Sequence, residues 1–474
     1  MWKWLNEALQ EFKYCFRDKR VFAWFVIIII GLMTRSDHLG LTSIVRELNL
    51  VPSSYMGILH FFRAESWVAT QLQFAWLCFL SKLPLLYRTN DGRPVMVGDG
   101  VKESKEGRFM PGVKKLHQES ENSAKGEYIF GHMFGGLGIL LGGIASKLYC
   151  VLISLRLHDG LSAVNGWSQD ETYEEESHVV KMIKDAVLAT RTLGASILLL
   201  DRLFLTVPML KALSETQLLH VVTKAKLNAT AYYEPKPKTG RGARPKKGEK
   251  ISAASLFKTK ADEFRMITAT LYGKEQEVPY YCVDLLWGLG WYQKLRFVLT
   301  ILEGKETILV STDLTLSPEQ IISLYCRRFK IECSFRELKQ VVAGFSYRFW
   351  SKSMPKLNKY VKNEASQDKL RGIEDDKAQA NIKLTVGAID RFALLSCIAL
   401  GLLQVVSILF ANVFSGSAVR FMRTKSNSVP SEATVAHFMR INIYQLFRFF
   451  PDLAITWFIS QKQLVEIETD GLVA

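Results

Sequence analysis

The chain has 474 residues, of which 48% are hydrophobic, and its formal net charge is +15. This length predicts two or three domains, and the apolar fraction excludes disorder as the main state. The positive charge favours a polyanionic partner, either nucleic acid or an anionic membrane surface. The seven cysteines form no C-x-x-C pair, which argues against a zinc ribbon or a secreted disulfide framework.

The first 90 residues are predicted to be helical. Residues 41–48 and 53–62 predict two short amphipathic helices around a turn. Such a pair is compatible with a helix-turn-helix that offers Arg46 and Arg63 to DNA phosphates, although similar pairs are common in proteins that bind no DNA. We therefore interpret residues 1–90 as a helical DNA-binding region.

From residue 91 the pattern changes to apolar, strand-like runs. Residues 94–98 lead into Asp99, further strands are expected at 128–141 and 149–157, and residues 195–200 lead into Asp201. A helix with an acidic first half is predicted over residues 170–192. Three strands, a helix and another strand indicate the α/β (α+β) class with a mixed sheet.

The second half of the chain predicts an insertion and a helical end. A basic loop over residues 236–250 contains Lys246 and Lys247 and is expected along DNA, though most such loops are only solvated. The strand-like runs after it predict an all-β insertion at about residues 227–314. We assign residues 91–415 to a catalytic domain and residues 416–474 to a helical C-terminal region.

An uncharged run over residues 392–416 is long enough to cross a bilayer. One such segment is also what a buried core helix looks like. A membrane protein is therefore kept as the less favoured alternative, and a cytoplasmic enzyme is preferred.

The segment that follows the insertion carries the clearest pattern. Ser317, Pro318 and Gln320 form a good helix start, and the helix is predicted to continue to about residue 342. Tyr325, Arg328, Glu332 and Lys339 follow the spacing Y-x2-R-x3-E-x6-K, which places them within an arc of about 60° on one helix. A carboxylate flanked by cations on one face suits a metal ion next to a DNA phosphate.

Asp99 and Asp201 are the best candidates to complete a metal site with Glu332. Each follows a hydrophobic strand, where a carboxylate can face a cleft at a sheet edge, and a metal pair on a phosphodiester needs several hard oxygen ligands. Taken singly, an Asp after a strand is usually a turn residue and a Glu on a basic helix is usually solvated. Their combination and order favour a catalytic triad.

The chain resembles bacterial insertion-sequence transposases of the insertion-sequence-four group. The spacing of Tyr325, Arg328, Glu332 and Lys339 matches the signature of that group. The segments around Asp99 (GDGVK) and Asp201 (LDRLF) are similar to it as well. The resemblance covers roughly residues 35–415.

The resemblance implies an RNase H-like catalytic domain interrupted by a β insertion. It implies that Asp99, Asp201 and Glu332 hold two Mg²⁺ (or Mn²⁺) ions. It also implies that Tyr325 and the two basic residues of the signature contact phosphates near the transposon end. The expected reaction is cleavage at the terminal inverted repeats and joining to target DNA by a homodimer in a synaptic complex, in the bacterial cytoplasm near the nucleoid.

Other residues receive weaker roles by the same resemblance. Relatives place a base-stacking tryptophan in the insertion, where this chain has Trp287 and Trp291, and we favour Trp291. Arg202 follows a predicted ligand and is expected at a phosphate or in a turn. Many relatives have a second Asp after the first triad residue, where this chain has Gly100.

Three further alternatives remain open from the sequence. A metal-dependent nuclease on the same fold would share the triad without strand transfer. An inactive copy would keep the site without its DNA ends. His132 is expected either beside Asp99 across a strand pair or as a structural histidine.

Overall fold

A computed structural model of the protein describes residues 1–118, 126–142, 147–167, 175–237, 243–271, 274–358, 369–414 and 429–464. The N-terminal region is helical, as predicted. Its helices are α1 (Trp2–Gln10), α2 (Lys19–Thr34), α3 (Thr42–Glu47), α4 (Ser54–Arg63) and α5 (Ala69–Lys82). The predicted pair at residues 41–48 and 53–62 is confirmed as α3 and α4.

The strands of the catalytic region follow the N-terminal helices. They are β1 (Val95–Ser104), β2 (Lys114–His117), β3 (Tyr128–Gly142), β4 (Leu148–Leu157), β5 (Ser196–Leu199) and β6 (Leu219–Ala225). Between and after them lie α6 (Ser162–Gly166), α7 (His178–Leu193) and α8 (Val207–Leu213). The helix predicted over residues 170–192 begins at His178 because Ser177 is its N-cap and accepts from the backbone N–H of Val180; residues 170–174 lie outside the described residues.

The insertion is formed by further strands. They are β7 (Thr230–Tyr232), β8 (Lys250–Ser252), β9 (Arg265–Leu271), β10 (Lys274–Trp287), β11 (Gln293–Leu302) and β12 (Lys305–Ser311). The prediction that it is all-β is wrong, because the short helix α9 (Leu256–Thr259) interrupts it.

The strands form one continuous sheet in the described part of the chain. Its order is β2-β3-β1-β5-β6-β12-β11-β10-β7-β8, with β4 also pairing with β3 and β9 with β10. β1, β3 and β4 are antiparallel neighbours, whereas β5 runs parallel to β1 and β6 parallel to β5. The sheet is therefore mixed, as predicted, and the insertion extends it through the pairing of β12 with β6.

The helix predicted from Ser317 to about residue 342 is two helices. They are α10 (Pro318–Tyr325) and α11 (Lys330–Gln340). The capping box of Ser317 and Gln320 starts α10 as predicted. Between the helices the backbone tightens, since the N–H groups of Arg328 and Ile331 bond three residues back instead of four.

The long apolar segment is a core helix. It belongs to α12 (Asp376–Leu409), which begins before the predicted Phe392 because Asp375 caps its first turn. Its most apolar stretch has a mean hydropathy of 2.4 and is 94% buried inside the protein. It packs on β4 and α2, so its hydrophobicity is explained by burial in this fold.

The described part of the C-terminal region, residues 429–464, is helical, as expected; residues 416–428 and 465–474 lie outside the described residues. It contains α13 (Glu432–Ile441), α14 (Ile443–Phe449) and α15 (Ala454–Ser460). Arg440 on α13 donates to the carbonyl oxygens of Thr34 and Arg35 at the end of α2, which ties the two ends of the chain together. All seven cysteines are free thiols, as the sequence indicated.

Candidate active site

The pairing of β1 with β5 brings two of the predicted carboxylates to one level of the sheet. The two strands pair in parallel only as far as Val97 and Leu199, which are direct partners. Asp99 and Asp201 each lie two residues further along. Because parallel strands keep their register, both carboxylates occupy the place where the strands diverge.

The prediction that Asp99 ends its strand is wrong. β1 continues to Ser104 because its other edge remains paired with β3, where Asp99 lies opposite Gly136. Asp201 does follow the end of β5, and Thr223 on β6 donates its hydroxyl to the Asp201 carbonyl oxygen at 2.9 Å. The backbone of both residues is thus fixed by neighbouring strands.

Glu332 reaches this place from α11. The helix lies close to the sheet because Gly136 has no side chain: a Cβ atom there would be 2.6 Å from the ring of Phe335. Ser334 on the next turn donates to the carbonyl oxygen of Cys150 on β4. The close approach of α11 to β3 and β4 therefore brings Glu332 towards Asp99.

Arg328 joins the carboxylates. Its Nη1 donates to Asp99 Oδ2 at 2.9 Å, and its Nη2 donates to Glu332 Oε1. Arg328 lies in the turn between α10 and α11, so the predicted arrangement of the four signature residues on one continuous helix is wrong. The tight turn directs the guanidinium towards β1.

The pKa values of the site residues are shifted because these charged groups are buried close together. Burial raises the pKa of Asp99 to about 6, and nearby Asp201 and Glu332 raise it too, against the opposing effects of Arg328 and of the Gly100 N–H. Burial would lower the pKa of Arg328, but the surrounding carboxylates raise it above its ordinary value. Burial raises the pKa of Tyr325, with Asp201 and Asp99 adding to the effect. Three carboxylates thus influence a single cationic group.

The donor set fits a divalent cation in its chemistry, since three carboxylates offer hard oxygen ligands. Among the described residues, however, no three His, Cys, Asp or Glu side chains are grouped closely enough to hold an ion as they stand. The reason is visible in the geometry, because the guanidinium of Arg328 lies between Asp99 and Glu332. The guanidinium of Arg328 is the cationic group that contacts both carboxylates.

A cavity of about 610 Å³ opens beside Asp99. Lys339 lines it and forms an ion pair with Glu103 on β1, with 2.8 Å between Nζ and Oε2. His178, the first residue of α7, lines it too. The signature lysine and the first carboxylate therefore face the same space.

Sequence reasoning did not single out His178, which lines this cavity, or His158, which contacts it. Their Nδ1 atoms are 2.8 Å apart, and a Cβ atom at Gly100 would lie 3.0 Å from His178 Nε2. Burial lowers the pKa of His158 to about 2 and that of His178 to about 4, with nearby positive charges adding to both shifts, so both rings are neutral at neutral pH. The available signal was His158 itself, which follows an apolar strand as Asp201 does. Gly100 makes room for the side chains of Met133 and His178.

The remaining predicted DNA contacts lie away from this cavity. Arg202 and Trp287 line a second cavity of about 450 Å³ at the insertion. Trp291 is 39% exposed and donates its Nε1 to Gln293 Oε1 at 3.0 Å. Trp287 is therefore the tryptophan that the structure brings next to Arg202.

The basic loop is partly held by the insertion. Lys247 lies over the rings of Tyr232 and Tyr292, at 4.4 and 5.2 Å from their centroids, and Lys246 is exposed. Lys247 thus has a packing role in the structure, in addition to any contact with DNA.

His132 has a structural role. It lies opposite Glu103, four residues from the position facing Asp99, and is fully buried. Its Nδ1 is 2.6 Å from the Tyr347 hydroxyl and its Nε2 is 2.8 Å from the Pro111 carbonyl oxygen. Both ring nitrogens are satisfied by a neutral imidazole that donates from Nε2.

Comparison with known families gives one match. The family model described as DDE superfamily endonuclease matches residues 11–275, which is more than half of the chain. The chain belongs to this family of enzymes that act on DNA and whose superfamily typically uses divalent metal ions. The matched region contains Asp99 and Asp201 and ends before Glu332. A search of curated proteins found no match.

Proposed function

We propose that this protein is a DNA transposase that cleaves at transposon ends and transfers the cut strands to target DNA. The observation that carries the proposal is the convergence of Asp99, Asp201 and Glu332 from two strands and a helix around Arg328. Membership in the DDE endonuclease family supports a metal-dependent nuclease or transposase. The Y-x2-R-x3-E-x6-K spacing supports the transposase of the insertion-sequence-four group.

The sheet supports an RNase H-like catalytic domain. One half of it consists of the antiparallel strands β4, β3 and β1 continued by the parallel strands β5 and β6, and the carboxylates lie where the pairing of β1 with β5 ends. The insertion joins this sheet through the pairing of β12 with β6, and the chain continues from β12 into α10 and α11. In this proposal the sheet positions two carboxylates and the helix after the insertion adds the third.

Asp99, Asp201 and Glu332 would hold the divalent ions, Mg²⁺ or Mn²⁺. When bound, two such ions supply activation of water or a 3′-hydroxyl and stabilisation of the leaving oxygen. For this binding Arg328 has to release the carboxylates, and its guanidinium then becomes available to a DNA phosphate.

The other residues of the signature hold DNA in this proposal. Lys339 and Tyr325 contact phosphates near the scissile bond, and His178 offers a neutral hydrogen-bonding ring on the cavity wall. Arg202 and Trp287 or Trp291 hold DNA at the insertion, with Lys246 and Lys247 along its path. Residues 1–90 add DNA contacts, and a homodimer brings two transposon ends together in the bacterial cytoplasm.

A metal-dependent nuclease without strand transfer is the second candidate, because the same carboxylate cluster supports it. The membrane alternative is not favoured, since the one helix of spanning length in the described residues is 94% buried over its apolar stretch.

The test is cleavage of a supercoiled plasmid that carries this gene with its native flanks. Wild type is compared with Glu332→Gln in Mg²⁺ and in EDTA. The matched control is Glu319→Gln, which alters an exposed carboxylate in the first turn of α10. We expect metal-dependent breaks at the two element boundaries and joined products in wild type and control, and a loss of about 10³-fold or more in Glu332→Gln.

Each other outcome identifies a different error. Breaks scattered without regard to the boundaries would support the nuclease. Cleavage at the boundaries that is never followed by joining would remove strand transfer from the proposal. Full activity in Glu332→Gln would show that the triad is wrongly assigned.

A further inference from the structure

A third cavity, distinct from the two described above, lies beyond the C-terminal end of α11. Its volume is about 830 Å³, and its walls come from residues 104–110 and 345–350, with His38 at the rim. It is separate from the cavity at the insertion and shares Ser104 with the cavity beside Asp99. We call it the Phe109/Trp350 pocket.

The two aromatic rings that name this pocket are exposed, whereas their backbones are fixed. Phe109 is 40% exposed and Trp350 is 51% exposed. The N–H of Ser351 donates to the Phe109 carbonyl oxygen at 3.0 Å, and Arg63 donates to the Trp350 carbonyl oxygen at 3.2 Å. Large apolar rings that are exposed to solvent on a fixed backbone can stack with a ligand at little cost in conformational entropy.

The pocket is also positively charged. Lys105 is 9% exposed and has neutral partners: its Nζ donates to the Phe345 carbonyl oxygen and lies 3.8 Å from the centroid of the Tyr347 ring. Arg108 and Arg348 are exposed at the walls, and neither has a carboxylate partner among the described residues. Glu106 is the one acidic residue in the lining, so positive charge predominates.

The pocket is continuous with the active site. β1 runs from Asp99 to Ser104, and Lys105 follows it directly. Six residues of extended chain span about 20 Å, which corresponds to about six nucleotides along a DNA strand. Ser104, the last residue of β1, lines both cavities.

We propose that the Phe109/Trp350 pocket binds an unpaired nucleotide of the DNA strand that leaves the active site, within about six nucleotides of the scissile phosphate. The base stacks on Phe109 or Trp350, and the flanking phosphates contact Arg108 and Arg348. Aromatic faces accept any base, and clustered cations without carboxylate partners accept the backbone, which together describe a site for single-stranded nucleic acid. This inference rests on the proposed function, since it requires that the protein binds DNA.

The experiment is a coupling measurement between protein and DNA. Binding is measured in EDTA, so that no strand is cut, to duplexes that carry the element boundary. In each duplex one nucleotide within six of the boundary is replaced by an abasic residue. Wild type, Trp350→Ala and Phe109→Ala are compared, with Tyr444→Ala as the control because Tyr444 is an exposed aromatic residue of α14 outside the pocket.

On intact DNA, Trp350→Ala or Phe109→Ala is expected to weaken binding about 5- to 100-fold. On the duplex that lacks the stacked base, the same substitution is expected to have almost no effect, because the interaction is already absent. Tyr444→Ala is expected to have no such dependence on the DNA. Arg348→Ala provides a second variant with the aromatic wall intact, and it should reduce the slope of log affinity against log salt by about one.

The pocket assignment is overturned if the aromatic variants bind every duplex like wild type, or are weakened equally on all of them. This failure is distinct from a failure of the proposed function. If only the pocket assignment fails, wild type still binds DNA and cuts at the element boundaries in the plasmid assay. If the proposed function fails, wild type does not cut at these boundaries.

Discussion

The two ends of α11 are held by different arginines, Arg328 at the start and Arg35 at the end. Arg328 binds the carboxylates of Asp99 and Glu332. Arg35 is 2% exposed and binds neutral oxygens beyond the end of the helix, among them the Ala343 carbonyl at 2.9 Å. An arginine therefore joins a carboxylate cluster at one end of α11 and holds the chain just beyond the helix at the other.

The two arginines therefore differ in whether a divalent metal ion can replace them. A divalent ion can replace a guanidinium between carboxylates, because the carboxylates bind either cation. Nothing equivalent replaces the N–H donors of Arg35, which bond to three carbonyl oxygens and two serine hydroxyls. Among the described residues the Val342 carbonyl oxygen has no donor besides Arg35, so it loses its partner when the arginine is removed. We therefore expect substitutions at the end of α11 to affect folding, and substitutions at its start to affect metal dependence.

The largest expected effect on stability is that of Arg35→Met. The variant leaves the Val342 carbonyl oxygen without its donor and removes one of the two donors of the Gly40 and Ala343 carbonyl oxygens, which should lower the free energy of unfolding by about 3 kcal/mol. Chemical denaturation measures the change. Arg46→Met is the control, because Arg46 pairs with Asp37 at the surface and should cost about 1 kcal/mol or less.

A loss as small as that of the control would contradict the distinction. It would mean that water satisfies the carbonyl oxygens once Arg35 is gone, and that the end of α11 is held by packing alone.

Sequence patterns predict the candidate residues, but not their geometry. Asp201 is predicted because a buried strand leads into it, and Glu332 because of its spacing to Arg328 and Lys339. The strand that carries Asp99 continues past it because β3 pairs along its other edge, and such long-range pairing leaves no local signal.

The break between α10 and α11 was not predictable for a similar reason. Residues 317–342 have helical periodicity throughout, yet the contact of Arg328 with Asp99 on β1 and the packing of Phe335 on Gly136 require a tighter turn. Arg35 gave no signal, since its partners beyond α11 lie 307 and 308 residues further along the chain.

The stability of the protein should also fall in acid because of His132, which contacts Tyr347 in the segment after α11. Burial lowers the pKa of His132 to about 3 from 6.5. Below pH 6.5 the unfolded state therefore binds a proton that the folded state does not, and stability falls as the pH decreases towards 3. At pH 5 this group should cost about 2 kcal/mol relative to neutral pH.

Denaturation at pH 7 and pH 5 tests this expectation with His132→Gln, which should lose about 2 kcal/mol less than wild type between the two values. Tyr347→Phe is the control, because it removes the hydroxyl at Nδ1 but keeps the histidine, so the pH dependence should persist. Burial raises the pKa of Asp390 to about 6, which acts in the opposite direction, so only the difference between variants isolates His132. An unchanged pH dependence in His132→Gln would show that another group carries it.

The smallest expected effect concerns the replacement of the Arg328 guanidinium by a metal ion at the start of α11. Arg328→Gln removes the cation from between Asp99 and Glu332, and the exposed repulsion should lower stability in EDTA by about 1 kcal/mol. Millimolar Mg²⁺ should then raise the melting temperature of this variant more than that of wild type, because the ion no longer competes with the guanidinium. The control is Arg327→Gln, whose side chain donates to the Ser323 carbonyl and lies over Tyr87, and which should respond to Mg²⁺ as wild type does. Equal Mg²⁺ responses in all three proteins would mean that the ion and Arg328 do not share a site, and that the guanidinium at this end of α11 is as permanent as Arg35 at the other.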